Sequence, residues 1–268
     1  MRPPVYDDGT AVIYQGDALA ILGDLPAGSV DVVMTDPPYS SGGLHRGDRS
    51  RPVDEKYPTA TEGVFAGDNR DQRSWALWTA TWSWAARQVV RPGGHAFLFS
   101  DWRQLPTASD ALQLGGWLWR GVVTWDKSPR GLPARGFFRN NVEFVLWGTS
   151  GPMRERERVT AIPGAVVTAP CPGPASDATW HPTAKPTDLL RHLLAIVPRP
   201  EGRPLTVLDP FMGAGSTLRA AKDLGLRAIG IEAEPDFCHL AATRLAQEVL
   251  FVPPPPPRGP DPQERLAL

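Results

Sequence analysis

Short apolar runs alternate along this chain with longer stretches whose apolar residues recur every three or four positions. Ala11 to Tyr14 is a β-prone run, and Val30 to Met34, continuing to Thr35, is another. Between them Ala18 to Leu22 has helical character, with Asp17 at the N-cap position. Strand, helix and strand in so few residues predict a βαβ unit, hence a parallel sheet with a right-handed crossover. Trp75, Trp78, Trp82, Ala85 and Val89 follow helical spacing. They predict a helix from Ser74, its cap, to Val90, with the tryptophans packed inside. Arg91-Pro92-Gly93-Gly94 stops that helix, and His95 to Phe99 reads as a buried strand that leaves at Ser100-Asp101-Trp102.

Leu105 to Leu114 predicts a helix ending at Gly115-Gly116. Trp117 to Trp125 and Asn141 to Trp147 predict an antiparallel pair edging an otherwise parallel sheet. Leu189, Leu190, Leu193 and Leu194 form the buried face of another helix. Leu205 to Leu208 is a strand, a helix follows to Leu224 and stops at Gly225, and Arg227 to Ile231 is a further strand. A last helix runs from Pro235 to Val249.

Three segments break this rhythm. Ser40 to Arg73 is long and rich in Gly and Arg, with Arg46, Arg49, Arg51 and Lys56 in its first half. A loop this long inside a compact domain is functional or disordered. Asp126 to Asn140 sets Lys127, Arg130, Arg135 and Arg139 against one acid, Asp126, with Phe137 and Phe138 among them. Basic residues interleaved with aromatics suit a phosphate backbone and unstacked bases, the alternative being a solvated loop. Gly148 to Trp180 has little periodicity and reads as an insertion. Pro253 to Pro257 is a polyproline II tail, most simply a disordered terminus. Residues 1–252 therefore read as one domain with insertions at 40–73, 126–140 and 148–180, and 253–268 as a tail.

Composition narrows the chemistry. The net charge is −1, so any contact with nucleic acid must use a local basic surface. Two cysteines, Cys171 and Cys238, cannot build a disulfide framework and lack metal-ligand spacing, which suits a reducing cytoplasm and predicts no metal. The N-terminus has no apolar core of a signal peptide, and no stretch approaches membrane-spanning length.

Two stretches carry candidate chemistry. Asp36-Pro37-Pro38-Tyr39 leaves a buried strand as a carboxylate, two prolines with fixed φ, and a ring able to stack. It is either a turn or a rigid polar pocket edge. Asp209-Pro210-Phe211-Met212-Gly213-Ala214-Gly215-Ser216-Thr217 is a glycine turn from strand to helix, and Glu232 ends the next strand. That is a nucleotide-handling device: the glycines admit a ligand to the backbone, and the acid accepts both ribose hydroxyls. A dinucleotide wants a third glycine where Leu218 stands, and Asp209 would repel a pyrophosphate but favour a cation. S-adenosylmethionine has a ribose, an ammonium and a sulfonium, and no phosphate. It fits better.

With Gly16-Asp17 and His181-Pro182-Thr183-Ala184-Lys185-Pro186, these stretches resemble the amino-group DNA methyltransferases of the β class, in which the catalytic tetrapeptide precedes the cofactor loop. Gly67 to Trp75 and Asp101 to Gln104 also resemble solitary methyltransferases of phage and prophage. The resemblance implies a class I, Rossmann-like α/β fold, with a mostly parallel sheet, an antiparallel edge pair and a circularly permuted motif order. It implies S-adenosylmethionine as cofactor, DNA as partner, no membrane, and a monomer or homodimer.

Residue by residue, the resemblance places Phe211, Gly213 and Gly215, with the adjoining Ser216 and Thr217, on the cofactor. Asp209 faces its ammonium through amides or water, and Glu232 takes the ribose hydroxyls. Asp17 accepts from its adenine amino group, the alternative being a helix cap alone, and Thr183 and Lys185 lie near its carboxylate. Asp36 and the Pro37 carbonyl accept the target amine, while Pro38 and Tyr39 complete the pocket and the ring stacks on the base. Arg46, Arg49, Lys127, Arg130, Arg135 and Arg139 are candidates for DNA. Asp rather than Ser at the first tetrapeptide position leans toward adenine N6 over cytosine N4. Protein glutamine N5-methylation is a more distant alternative. It normally has Asn there and the opposite motif order.

Overall fold

The computed structural model describes residues 2–38, 70–127, 136, 138, 141–153, 161–167 and 185–247. The first predicted strand, helix and strand are present as β2 (Ala11–Gln15), α1 (Ala18–Leu22) and β3 (Val30–Thr35), with a short strand β1 (Tyr6–Asp7) ahead of them that the sequence did not mark. Asp17 caps α1 by accepting from the Ala20 amide at 3.0 Å. Next come α2 (Gln72–Val89), β4 (Val90–Ser100), α3 (Leu105–Leu114), β5 (Leu118–Asp126) and β6 (Val142–Thr149). The chain continues through β7 (Ala165–Val167), α4 (Thr187–Leu194), β8 (Thr206–Asp209), α5 (Ser216–Asp223), β9 (Arg227–Glu232) and α6 (Pro235–Ala246).

Among the described residues these strands form one nine-stranded sheet in the order β1-β2-β9-β8-β3-β4-β6-β5-β7. The block from β2 to β4 is parallel throughout, whereas β6 runs antiparallel to both β4 and β5. From β3 the chain moves outward to β4, and from β8 it moves the opposite way to β9. The order therefore reverses between β8 and β3. That switch point is where open α/β sheets bind ligands, beyond the C-terminal ends of the strands.

Helices cover both faces because successive strand residues point to opposite sides. Val32, Met34, Phe97 and Val207 join a core with the inner faces of α4, α5 and α6. Val33, Leu98, Leu146 and Leu208 join a second core with α1, α2 and α3. Val30 and Val32, two residues apart, sit in different cores because the register with β4 slips between them.

Several expected boundaries move. The cap of α2 is Asp71, which accepts from the Arg73 and Ser74 amides, so Ser74 lies inside the helix and donates its hydroxyl back to the Asp71 carbonyl. The Pro-Gly-Gly stretch does not separate α2 from β4: the strand begins at Val90, directly after the helix. The antiparallel pair is not the sheet edge. β7, inside the segment read as an aperiodic insertion, adds outside β5 in parallel, and β1 closes the other edge. The last helix ends at Ala246, and the tail 253–268 lies outside the described residues.

Candidate active site

Four strands deliver polar groups to one end of the sheet. Thr35 ends β3, Asp209 ends β8, Glu232 ends β9, and Gln15, paired in register with Glu232, ends β2. The Thr35 hydroxyl donates to Asp209 Oδ1 at 2.8 Å, tying the Asp36-Pro37-Pro38 exit to the glycine turn across the switch point. Phe211 N donates to the same oxygen at 3.1 Å, and Thr217 also bonds the Asp209 side chain. Burial pushes the Asp209 carboxyl up to about 7, against these donors, which lower it; the nearby Asp36 charge raises it further.

The turn itself needs glycine twice. Gly215 precedes α5 at φ +76, where a Cβ would come within 2.9 Å of Ala241 Cβ. Gly213 has φ +50, and a Cβ there would meet nothing within 4 Å, so its backbone faces open space. The Gly213 amide donates to Glu232 Oε2 at 2.9 Å and the Glu234 amide to Oε1 at 3.0 Å. Burial raises the Glu232 pKa despite these amides. The Gly16 amide donates to the Glu232 carbonyl, which brings Asp17 to the same corner. Aromatic rings wall the turn: Phe211 lies 5.1 Å from Trp78 and 5.0 Å from Trp82, centre to centre. The Arg70 guanidinium sits 4.8 Å from the Trp78 ring.

The tetrapeptide exit is anchored from two sides. The Trp75 indole donates to the Pro38 carbonyl at 2.8 Å, so α2 holds Pro38 and that carbonyl is occupied. Lys185 Nζ lies 2.6 Å from Asp36 Oδ2 and 3.6 Å from Glu143 Oε2. Its ammonium sits over the Phe99 and Trp125 rings. Lys127 Nζ meets Glu143 Oε1 at 2.6 Å, so this basic residue, a candidate for DNA, has an internal partner.

The structure thus brings Asp17, Asp36, Pro37, Pro38, Lys185, Asp209, Phe211, Gly213, Gly215 and Glu232 to one end of the sheet. Ser216 and Thr217 turn inward instead: Ser216 Oγ accepts from Arg244 at 3.0 Å, and Thr217 serves Asp209. Tyr39, Arg46, Arg49, Arg130, Arg135, Arg139, Thr183 and Cys171 lie outside the described residues. Burial and the Glu232 carboxylate push the Cys238 thiol up to about 12, which disfavours a thiolate nucleophile there. Trp75, Trp78 and Glu143 belong to the site without having been singled out for it. A stripe of tryptophans at helical spacing reads as core, and a single Glu in a strand reads as a solvated face. No helix among the described residues is long and apolar enough to cross a membrane.

Comparison with known proteins agrees with this geometry. A family model described as DNA methylase, of the N6/N4 methyltransferase type, matches residues 30–243. The Type II methyltransferase M2.DpnII of Streptococcus pneumoniae is 26% identical over 265 residues, covering 92% of this chain and 94% of its own. M2.LlaDCHI of Lactococcus lactis subsp. cremoris is 24% identical over 262 residues, covering 91% and 93%. In fold, the chain resembles the M1.HpyAVI–SAM complex, with a TM-score of 0.64, 24% identity and coverage of 88% of this chain and 100% of that one. It also resembles the cytosine-N4-specific PvuII DNA methyltransferase, with a TM-score of 0.68, 17% identity and coverage of 94% and 92%.

Proposed function

We propose that this chain, which belongs to the N6/N4 DNA methylase family, methylates adenine N6 in DNA, using S-adenosylmethionine. The observation that carries this reading is the Thr35–Asp209 hydrogen bond, which fixes the acceptor Asp36 beside the cofactor turn. The residues present fit that cofactor. Open space in front of the Gly213 backbone offers a cradle, and Glu232 stands at its edge with both oxygens held by amides. Two hydroxyls donated by a ribose would offset the burial that raises its pKa. Asp17 would take the adenine amino group while still capping α1, and Phe211 would line the cofactor with the two tryptophans behind it.

When bound, S-adenosylmethionine would supply a methyl group on a sulfonium: the amine nitrogen would bond the methyl as the carbon–sulfur bond breaks with its electron pair left on sulfur, and the nitrogen would then release one proton to water, without a covalent enzyme intermediate. The task left to the protein is to prepare the amine. The lone pair of an exocyclic base amine is delocalised into the ring, which makes it a poor nucleophile. Asp36 and the Pro37 carbonyl each accept one N–H bond, favouring a pyramidal nitrogen with an exposed lone pair. The Pro38 carbonyl is held by Trp75 instead. Tyr39 would stack on the base, which must leave the duplex to reach this pocket. Asp36, where cytosine-N4 members more often have Ser, favours adenine.

Incubation with methyl-labelled S-adenosylmethionine and either unmethylated DNA or cell protein tests the reaction class. Label is expected in DNA. Label in protein alone would favour glutamine methylation and sink the proposal.

Asp209 adds a pH signature. With its carboxyl at about 7, it is largely protonated below neutrality, whereas a cationic ligand favours the anion. Binding must then expel a proton, so affinity is expected to rise as pH climbs through about 7 and to level off above it. Asp209→Asn cannot ionise and should remove that slope, leaving only the cofactor's own titration. Calorimetric Kd values for both proteins between about pH 6 and pH 8 check this; equal slopes would take Asp209 out of cofactor binding.

A further inference from the structure

Asp36 is the end of a line of four alternating charges. Lys185 reaches Asp36 Oδ2 at 2.6 Å and Glu143 Oε2 at 3.6 Å, and Glu143 Oε1 in turn takes Lys127 at 2.6 Å. The line crosses the sheet end, since Asp36 follows β3, Glu143 lies in β6, Lys127 follows β5 and Lys185 precedes α4. Lys185 has little freedom within it. Its side chain is 11% exposed, and its ammonium lies 5.3 Å from the Phe99 ring centre and 5.8 Å from that of Trp125.

The charges hold one another in place. Burial alone would lower the Lys185 pKa, but the Asp36 and Glu143 carboxylates outweigh it and keep the pKa raised. Burial alone would raise the Glu143 pKa, and Lys185 and Lys127 outweigh it in the same way. Removing one member of a partly buried set leaves the next without its partner, so its geometry is not kept by solvent as it is for exposed pairs.

We infer that Glu143 and Lys185 are positioning residues for methyl transfer: Glu143 fixes the Lys185 ammonium, and Lys185 pins one oxygen of Asp36, setting the direction from which that carboxylate meets the target amine. The inference rests on the methyltransferase reading above. It gives Lys185 a duty toward Asp36 in place of the cofactor carboxylate. A misplacement of about 1 Å at such a group can cost about a hundredfold in rate.

The test compares wild type with Glu143→Gln, Lys185→Met and the double variant. Single-turnover transfer is measured from preformed complexes with DNA, alongside Kd for S-adenosylmethionine and for DNA. Glu143→Gln is expected to slow transfer about tenfold and Lys185→Met about a hundredfold, both dissociation constants staying within about twofold. The double variant should be no slower than Lys185→Met, because Glu143 acts only through Lys185. Glu143→Gln, which nearly preserves volume, keeps the test alive if Lys185→Met folds poorly. Wild-type transfer by Glu143→Gln, additive losses in the double variant, or a cofactor Kd rising as far as the rate falls would each overturn the inference. Absence of transfer by the wild-type protein would overturn the methyltransferase reading as well, so the two failures are distinguishable.

Discussion

Asp36→Ala is expected to bind S-adenosylmethionine with near-normal affinity and to transfer methyl groups to DNA about a thousandfold more slowly. The glycine turn is held through other residues: Glu232 by Gly213 and Glu234, and Asp209 by Thr35, Phe211 and Thr217. Cofactor binding should survive. What the variant lacks is an acceptor aimed at the target nitrogen, an interaction that strengthens as the nitrogen becomes pyramidal. Such interactions lower kcat and kcat/KM together. Asp36→Asn, which keeps one acceptor oxygen but loses the charge on Lys185, should fall between the two. Single-turnover rates with calorimetric Kd values check the split, and near-normal turnover by Asp36→Ala would remove this residue from the mechanism.

The second large effect lies at the opposite end of the same strand. Asp31→Ala is expected to destabilise the fold by about 3 kcal/mol while leaving the geometry of the site to β3 and β8. Asp31 is fully buried and accepts from Arg91 Nε at 2.8 Å, from Arg203 at 2.7 and 2.8 Å, and from the Thr206 amide at 2.8 Å. These donors come from the starts of β4 and β8, the two neighbours of β3, so one carboxylate clips three adjacent strands. Alanine leaves the buried Thr206 amide without this acceptor and takes one negative partner away from each of Arg91 and Arg203. Both arginine side chains reach solvent, which places the cost toward the lower end for a broken buried pair. Urea unfolding monitored by circular dichroism reads the loss directly. An unchanged midpoint would show that the network contributes nothing net.

Asp31 also shows where the sequence stops being legible. Hydrophobic patterning marks β2, α3 and α4 by a buried face and β3 by an apolar run buried on both faces, and a charge inside the run Val30 to Met34 does not disturb that pattern. The pattern cannot say that the charge is buried, or that Arg91 and Arg203 converge on it from 60 and 172 residues away. Glu143 is hidden for the same reason: its partner Lys185 comes from a distant element. β7 is only three residues long, in a Pro- and Gly-rich stretch, and gains its place from pairing with β5. The tryptophans of α2 were legible as a stripe but not as two functions. Trp75 and Trp82 fill the core, yet the Trp75 indole also holds the Pro38 carbonyl, and Trp78 faces Phe211 and Arg70. By contrast, the Asp36-Pro37-Pro38 exit and the glycine turn stand out in the sequence because each packs several chemically constrained residues into a short span. The sheet then joins them through one hydrogen bond, from Thr35 to Asp209.

The most direct test is the product. DNA lacking modified bases, incubated with the protein and S-adenosylmethionine and digested to nucleosides, is expected to yield N6-methyladenosine as its deoxynucleoside by mass spectrometry. N4-methylcytosine as the sole product would contradict the adenine assignment that Asp36 supports, and 5-methylcytosine would contradict the amine mechanism itself.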